Sequence, residues 1–239
     1  MKKGFTLSLA ASILAFGCYA NEGVHWNYDE HGPEHWEQFS EMCGKGKSQS
    51  PINILTNKTS SLESINMVVL NESVKTPATV ADNGHAIQAT IDNGGKLTIN
   101  GVDYKLLQFH FHGKSEEEID GKQYDLVAHM VHKSAEGNLA VVAVLFQEDK
   151  TPNAMIQKVL DNVGKSTEMN PADLLPKQTN HYFHFKGSLT TPPCSENVQW
   201  YVMKEIQSAT KDQIDAMRKY YDHNYRPVQL LNGRMIESK

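Results

Sequence analysis

Short runs of β-branched and aromatic residues, separated by turn residues, fill the middle of this chain. They are Met67–Leu70, Ala86–Ile91, Lys96–Ile99, Tyr104–His112, Asp125–Val131, Leu139–Gln147, Tyr182–Phe185 and Gln199–Val202. Turn signals such as Asn93-Gly94-Gly95 and Asn100-Gly101 bound them, so each run predicts a strand. Leu139–Phe146 is apolar at nearly every position, which predicts a central strand covered on both faces. Helical patterns are few. Thr151 and Pro152 suit an N-cap and first helical position, with Gly164 as the stop. Thr210 and Gln213 form a capping-box pattern ahead of Ile214, Met217 and Tyr221. Asn170–Thr179, with Pro171 and Pro176, reads as an irregular surface loop. No repeat and no break in composition divides the chain. The expectation is an α+β, sheet-dominated single domain, built on a large, mostly antiparallel central β-sheet with few short helices.

The N-terminus changes the picture first. Residues 1–20 carry Lys2 and Lys3, an apolar stretch from Phe5 to Phe16 and the small residue Ala20. This is the pattern of a secretory signal peptide, too short to span a membrane. Cys18, after Ala15-Phe16-Gly17, loosely resembles a lipoprotein cleavage site, which leaves a lipid anchor as the alternative. Residues 21–239 are long enough for one large domain with its own core. The net charge of −5 becomes about −7 once the two lysines of the leader are removed. The acidic excess is spread out, and no basic stripe suggests nucleic acid. Two cysteines then remain, Cys43 and Cys194. Export with an even cysteine count favours a disulfide; two buried thiols are the alternative.

The candidate chemistry lies in Gln108-Phe109-His110-Phe111-His112 and His129-Met130-Val131-His132. Side chains alternate along a strand, so Gln108, His110 and His112 share a face, as do Val127, His129 and Val131. A turn at Glu118–Lys122 lets the second strand return antiparallel and bring His129 beside the other two. Three imidazoles from neighbouring strands match a catalytic zinc site with one open position. Gly187-Ser188-Leu189-Thr190-Thr191-Pro192-Pro193-Cys194 offers two hydroxyls on a proline-stiffened loop. A threonine hydroxyl both donates and accepts. It can take the proton of a zinc-bound hydroxide in a hydrogen bond and pass its own to a carboxylate, for which Glu116 is the candidate.

At these residues the chain closely resembles the α-class carbonic anhydrases, and specifically their exported bacterial members. The matching segments run through nearly all of the mature chain. They include His25-Trp26-x-Tyr28, Gln49-Ser50-Pro51-Ile52, Asn83-Gly84-His85, Ser115-Glu116 and Asn224-Tyr225-Arg226-Pro227, besides the histidine strands and the threonine loop. The resemblance implies reversible hydration of CO2 to bicarbonate and a proton by zinc-bound hydroxide. It implies Zn2+ on His110, His112 and His129, Thr190 as the orienting hydroxyl with Glu116 as its acidic partner, and Thr191 as a substrate contact. His85 matches the proton shuttle, a role suited to a side chain whose ordinary pKa lies near neutrality. Tyr28 and Asn83 match residues that order the water between metal and shuttle. Val131, Val141, Leu189, Val198 and Trp200 would form an apolar wall for CO2, and Gln108 would support the metal ligands. Cys43 and Cys194 match a disulfide of the exported members. The resemblance further implies a periplasmic or secreted bacterial protein with no membrane span, and a homodimer.

One position departs from the family pattern. A glutamate normally stands two residues before the third histidine; here it is Val127. The expectation is that a backbone carbonyl or water orients His129, that zinc binds more weakly than usual, and that Val127→Glu tightens it. The remaining histidines (His25, His31, His35, His132, His181, His184 and His223) read as surface or structural. Three rival readings stand beside the enzyme. A non-enzymatic relative would have lost zinc histidines, an ester hydrolase would need further substrate contacts, and a cupin-like metal protein would leave the Thr190 loop unexplained.

Overall fold

The computed structural model describes residues 25–61, 67–70 and 75–239; the expected leader over 1–20, with Cys18, lies outside them. The chain opens with a 3-10 turn at Pro33–Gln38 and a short helix α1 (Glu41–Lys45). Strands β1 (Asn53–Ile54), β2 (Ser60–Ser61), β3 (Met67–Leu70), β4 (Thr76–Asp82), β5 (Ile87–Ile91), β6 (Lys96–Ile99) and β7 (Val102–His112) follow. Next come β8 (Glu118–Ile119), β9 (Lys122–Gln123), β10 (Leu126–Ser134), β11 (Leu139–Glu148), α2 (Ala154–Asp161) and β12 (Lys165–Met169). The C-terminal part holds β13 (Tyr182–Ser188), β14 (Glu196–Met203), β15 (Gln207–Ala209), α3 (Lys211–Arg218) and β16 (Glu237–Ser238).

Thirteen of these strands form one sheet, with the path β12-β4-β5-β7-β10-β11-β14-β13-β16-β2. Most neighbours are antiparallel; β11 runs parallel to β14 and β15, and β16 parallel to β2. The expected architecture holds. β11 sits near the middle and separates two apolar layers. Ala140, Val142, Val144 and Phe146 enter one, while Val141, Ala143 and Leu145 enter the other. An almost unbroken apolar run is what a strand with no solvent face requires.

Three local expectations need correction. Helix α2 begins at Ala154 behind Asn153, not at Pro152 behind Thr151. Asn153 accepts from the Met155 and Ile156 amides, and its own backbone is bridged by the Gln213 side chain, at 2.9 and 2.8 Å. The caps of α2 and α3 thereby hold one another, and this contact decides the start. Thr210 and Gln213 do form the expected capping box. The segment after Asn170 is not irregular throughout, because Pro171–Leu174 make a capped 3-10 turn that buries Leu174. The edge strand β12 and its neighbour β4 are additions to the expected set.

Candidate metal centre

The site is built where β7 and β10 pair. His129 lies opposite His110, and Val127 opposite His112. The ladder slips between Val131 and His132, which pair with Gln108 and Leu106 and leave Leu107 as an extra residue. Such a bulge inverts the alternation. Tyr104 and Leu106 before it, and Phe109 and Phe111 after it, all enter the same apolar layer. Gln108, His110 and His112 are therefore turned to the opposite side, where His129 meets them.

One ligand atom from each imidazole lies within 4.8 Å of the others. Among the described residues these three form the one cluster of this kind. Each ring has its other nitrogen engaged. His110 Nδ1 meets Gln108 Oε1 at 2.8 Å, His112 Nδ1 meets the Asn224 carbonyl, and His129 Nε2 meets Glu117 Oε2 at 3.2 Å. The facing nitrogens are left to converge; among them His112 Nε2 is buried without a hydrogen-bond partner. Three imidazoles, each with an acceptor behind it, fit a zinc ion with an open fourth position.

The expected partner of His129 is overturned. A carboxylate, not a backbone carbonyl, stands behind the His129 ring where Val127 offers no side-chain partner. The Glu117 carboxylate reaches it from the segment before β8, with both residues fully buried. Asp125 is turned away, accepting from the Glu148 amide and lying near Arg218.

The threonine loop is anchored from two sides. Ser50 and Ser188 exchange hydrogen bonds through hydroxyl and amide at 2.9 and 3.1 Å. Gly187 lies so close to the Ser50 hydroxyl that a Cβ would collide with it. At the far end Cys194 is bonded to Cys43, 151 residues away in sequence. Thr190 is buried between these anchors beside Glu116, and its hydroxyl favours the ionised carboxylate. Glu116 Oε1 accepts the Arg226 amide at 2.7 Å. The Arg226 guanidinium is itself buried, donating to Gln49 Oε1, the Ser50 carbonyl and the Cys43 carbonyl.

A cleft of about 230 Å³ opens on the cluster, lined by Trp26, Tyr28, Asn83, His85, Gln108, His110, His112 and Thr191. His85 stacks on Trp26, with ring centroids 3.7 Å apart and planes within 12°. Asn83 is occupied by the turn that carries His85, accepting from the His85 and Ala86 amides. Val131, Val141, Leu189, Val198 and Trp200 belong to one apolar layer together with Val127. Trp200 meets His129 edge to face at 4.9 Å, so that layer adjoins the cluster. His132 and His184 are buried away from it. His132 bonds the Met130 carbonyl; His184 bonds Glu237 and Gln199.

Burial dominates the electrostatics. It holds His110 down to about 3 and His112 well below its ordinary value, with the neighbouring His129 adding to both. Burial also opposes charge on His129, yet Glu117 and Glu116 outweigh it and raise that pKa. Glu116 is pushed up to about 7 by burial and by Glu117, against His129, the Thr190 hydroxyl and the Arg226 amide. His85 is lowered, mainly by burial. Glu117, Asn224, Arg226 as a hub and Trp26 are contributors that pattern reading did not assign. Asn224 and Arg226 were visible only as matched segments, and Glu117 only as an acidic neighbour of Glu116.

The family model for eukaryotic-type carbonic anhydrases matches residues 31–239. A carbonic anhydrase of Pectobacterium atrosepticum is 36% identical over 248 residues, covering 99% of each chain. The α-carbonic anhydrase of Thermovibrio ammonificans, solved with the inhibitor sulfanilamide, superposes with a TM-score of 0.82 at 36% identity, over 90% of this chain and 99% of that one. That of Photobacterium profundum gives 0.80 at 40% identity, over 89% and 100%. With family, fold and length all in agreement, the chain belongs to the eukaryotic-type, or α, carbonic anhydrases and is an enzyme of that kind.

Proposed function

We propose that this enzyme hydrates CO2 reversibly to bicarbonate and a proton at a zinc ion held by His110, His112 and His129. The observation that carries the reading is the convergence of three imidazoles whose rear nitrogens are all engaged. A zinc ion there supplies the Lewis acidity that brings the pKa of water to about 7.

The chain's own residues do the rest. Glu116 can only accept once ionised, and it takes the Arg226 amide and the Thr190 hydroxyl. Thr190 has then spent its proton, so its oxygen is left to accept an O–H from solvent, fixing which lone pair faces the substrate. The apolar layer ending at Trp200 and Val198 suits CO2, which offers no strong hydrogen-bonding handle. His85 stands in the cleft shared with His110 and His112. Its pKa, lowered by burial, leaves it neutral near pH 7 and ready to receive the product proton. Thr191, Tyr28 and Asn83 line the same path.

Residues 1–20 act as the secretory leader of a catalytic domain over 21–239. The Cys43–Cys194 disulfide supports an oxidising, periplasmic or secreted setting. Among the described residues no helix is long and apolar enough to cross a membrane. Stopped-flow CO2 hydration with metal analysis tests the reading. Wild type is expected to hold one zinc per chain and to hydrate CO2. His129→Ala is expected to lose both. A zinc-free, inactive wild type, or a fully active His129→Ala, sinks the proposal.

A further inference from the structure

We infer that Glu117 is the residue that positions His129 for the metal, a task its own strand leaves undone. The inference rests on the zinc reading above and goes beyond it by assigning a role to a loop carboxylate. On β10 the neighbour of His129 on the same face is Val127, which has no polar atom to offer. Asp125, one step further, is committed to the Glu148 amide at 2.8 Å. Glu117 Oε2 is the carboxylate oxygen within hydrogen-bond reach of His129 Nε2, at 3.2 Å.

The carboxylate is held in place before any metal arrives. The Ser115 hydroxyl donates to the Glu117 carbonyl at 2.7 Å and accepts the Tyr124 amide at 2.8 Å. The Ser115 amide donates to the Tyr124 carbonyl, and the Glu118 amide to that of Ile52. A segment tied on both sides gives Glu117 little freedom to point elsewhere. Its other oxygen, Oε1, is buried with no partner. A buried carboxylate satisfied on one oxygen is costly, so packing alone does not account for it.

The chemical consequence is specific. With Nε2–H donated to Glu117, His129 presents Nδ1 toward the cluster, and the anion behind the ring strengthens it as a ligand. His110 and His112 have only a neutral amide oxygen and a backbone carbonyl behind them. Glu117 is thus a positioning residue acting through His129.

Zinc dissociation constants measured by chelator competition on the full mature chain test this, beside near-UV circular dichroism of the zinc-free forms. Glu117→Gln removes the charge, and Glu117→Asp shortens the reach. Both are expected to weaken zinc binding about 10- to 100-fold with an unchanged dichroism spectrum. Val127→Glu in the wild-type background is expected not to tighten binding, because the place it would fill is taken. Wild-type affinity in Glu117→Gln overturns the inference, as does tighter binding in Val127→Glu. Weakening that is matched by loss of the zinc-free near-UV signal in both Glu117 variants overturns it too, marking a purely structural residue. A wild type that binds no zinc removes the metal reading and this inference together, whereas a zinc-binding wild type matched by Glu117→Gln removes only the inference.

Discussion

At the scale of single residues, the centre works by leaving each polar group one remaining option. Thr190 shows this best. Glu116 is held by the Arg226 amide at 2.7 Å, and on the proposed reading the Thr190 hydroxyl donates to that carboxylate, so the threonine oxygen has only acceptance left to offer. Thr190→Val keeps the volume and deletes that function. We expect CO2 hydration to fall on the order of 100-fold, the cost seen when one preorganised hydrogen-bonding group is removed from an active site. Zinc content should stay at the wild-type level, and Thr190→Ser should retain most of the rate. Stopped-flow kinetics with metal analysis checks this; a Val variant as fast as wild type would falsify the assigned role. The three imidazoles were legible in sequence, since alternation on a strand is a local property, while the resemblance singled out Thr190 from the two hydroxyls of its loop. Glu117 was not legible as a partner of His129. It sits 12 positions before that histidine, and strand periodicity carries no record of which preceding loop folds over a face.

At the scale of elements, one bulge decides where the chemistry goes. Leu107 shifts β7 so that aromatic residues stay in one layer on either side of it while the histidines turn to the other. Beyond the slip, His132 faces away from the metal cluster and is buried, donating toward the Met130 carbonyl at 2.9 Å. Burial holds its pKa down to about 4, against the backbone bonds that would raise it. In the unfolded chain the same imidazole titrates near 6.5. Its folded pKa is the lower one, so its contribution is intact above pH 6.5 and is lost as pH falls from there toward 4, because the unfolded state takes the proton first. The full loss is about 3 kcal/mol. Urea unfolding of the zinc-loaded protein at pH 7 and pH 4.5 should show a steeper fall for wild type than for His132→Gln. Equal slopes would exclude His132 as a source of acid sensitivity. The strands of the sheet interior were readable because they are apolar and β-branched. The edge strand β12 and its neighbour β4 were not, because Pro77 and alternating polar positions there blur the signal. The start of α2 was misplaced because a side chain of α3, Gln213, fixes the backbone at Asn153, a contact invisible to local reading.

At the scale of the whole molecule, the site is held by segments far apart in sequence, and the disulfide is a covalent tie among them. Cys43 and Cys194 close a loop with a separation of 151 residues. On the chain-entropy account a link of that span contributes up to about 5 kcal/mol, enough to move the melting temperature by about 10 °C in a domain of this size. Its reach extends to the chemistry by two routes. The Cys194 amide bonds the Thr191 carbonyl at 2.8 Å, and the Cys194 carbonyl accepts from Gln49 at 3.1 Å. The Cys43 carbonyl accepts from the Arg226 guanidinium at 2.7 Å, and the Arg226 amide is the one that pins Glu116. Loosening either cysteine therefore relaxes the loop of Thr190 and the carboxylate that orients it. Reduction, or the Cys43→Ser/Cys194→Ser double variant, is expected to lower the melting temperature by that amount and the hydration rate with it, while the imidazole cluster on β7 and β10 keeps its zinc. Thermal melts, metal content and stopped-flow rates with and without reductant decide the matter. An unchanged melting temperature and rate would show that the loop stands without its brace. Loss of zinc alongside the rate would show that the metal cluster, and not the Thr190–Glu116 arm, depends on the link.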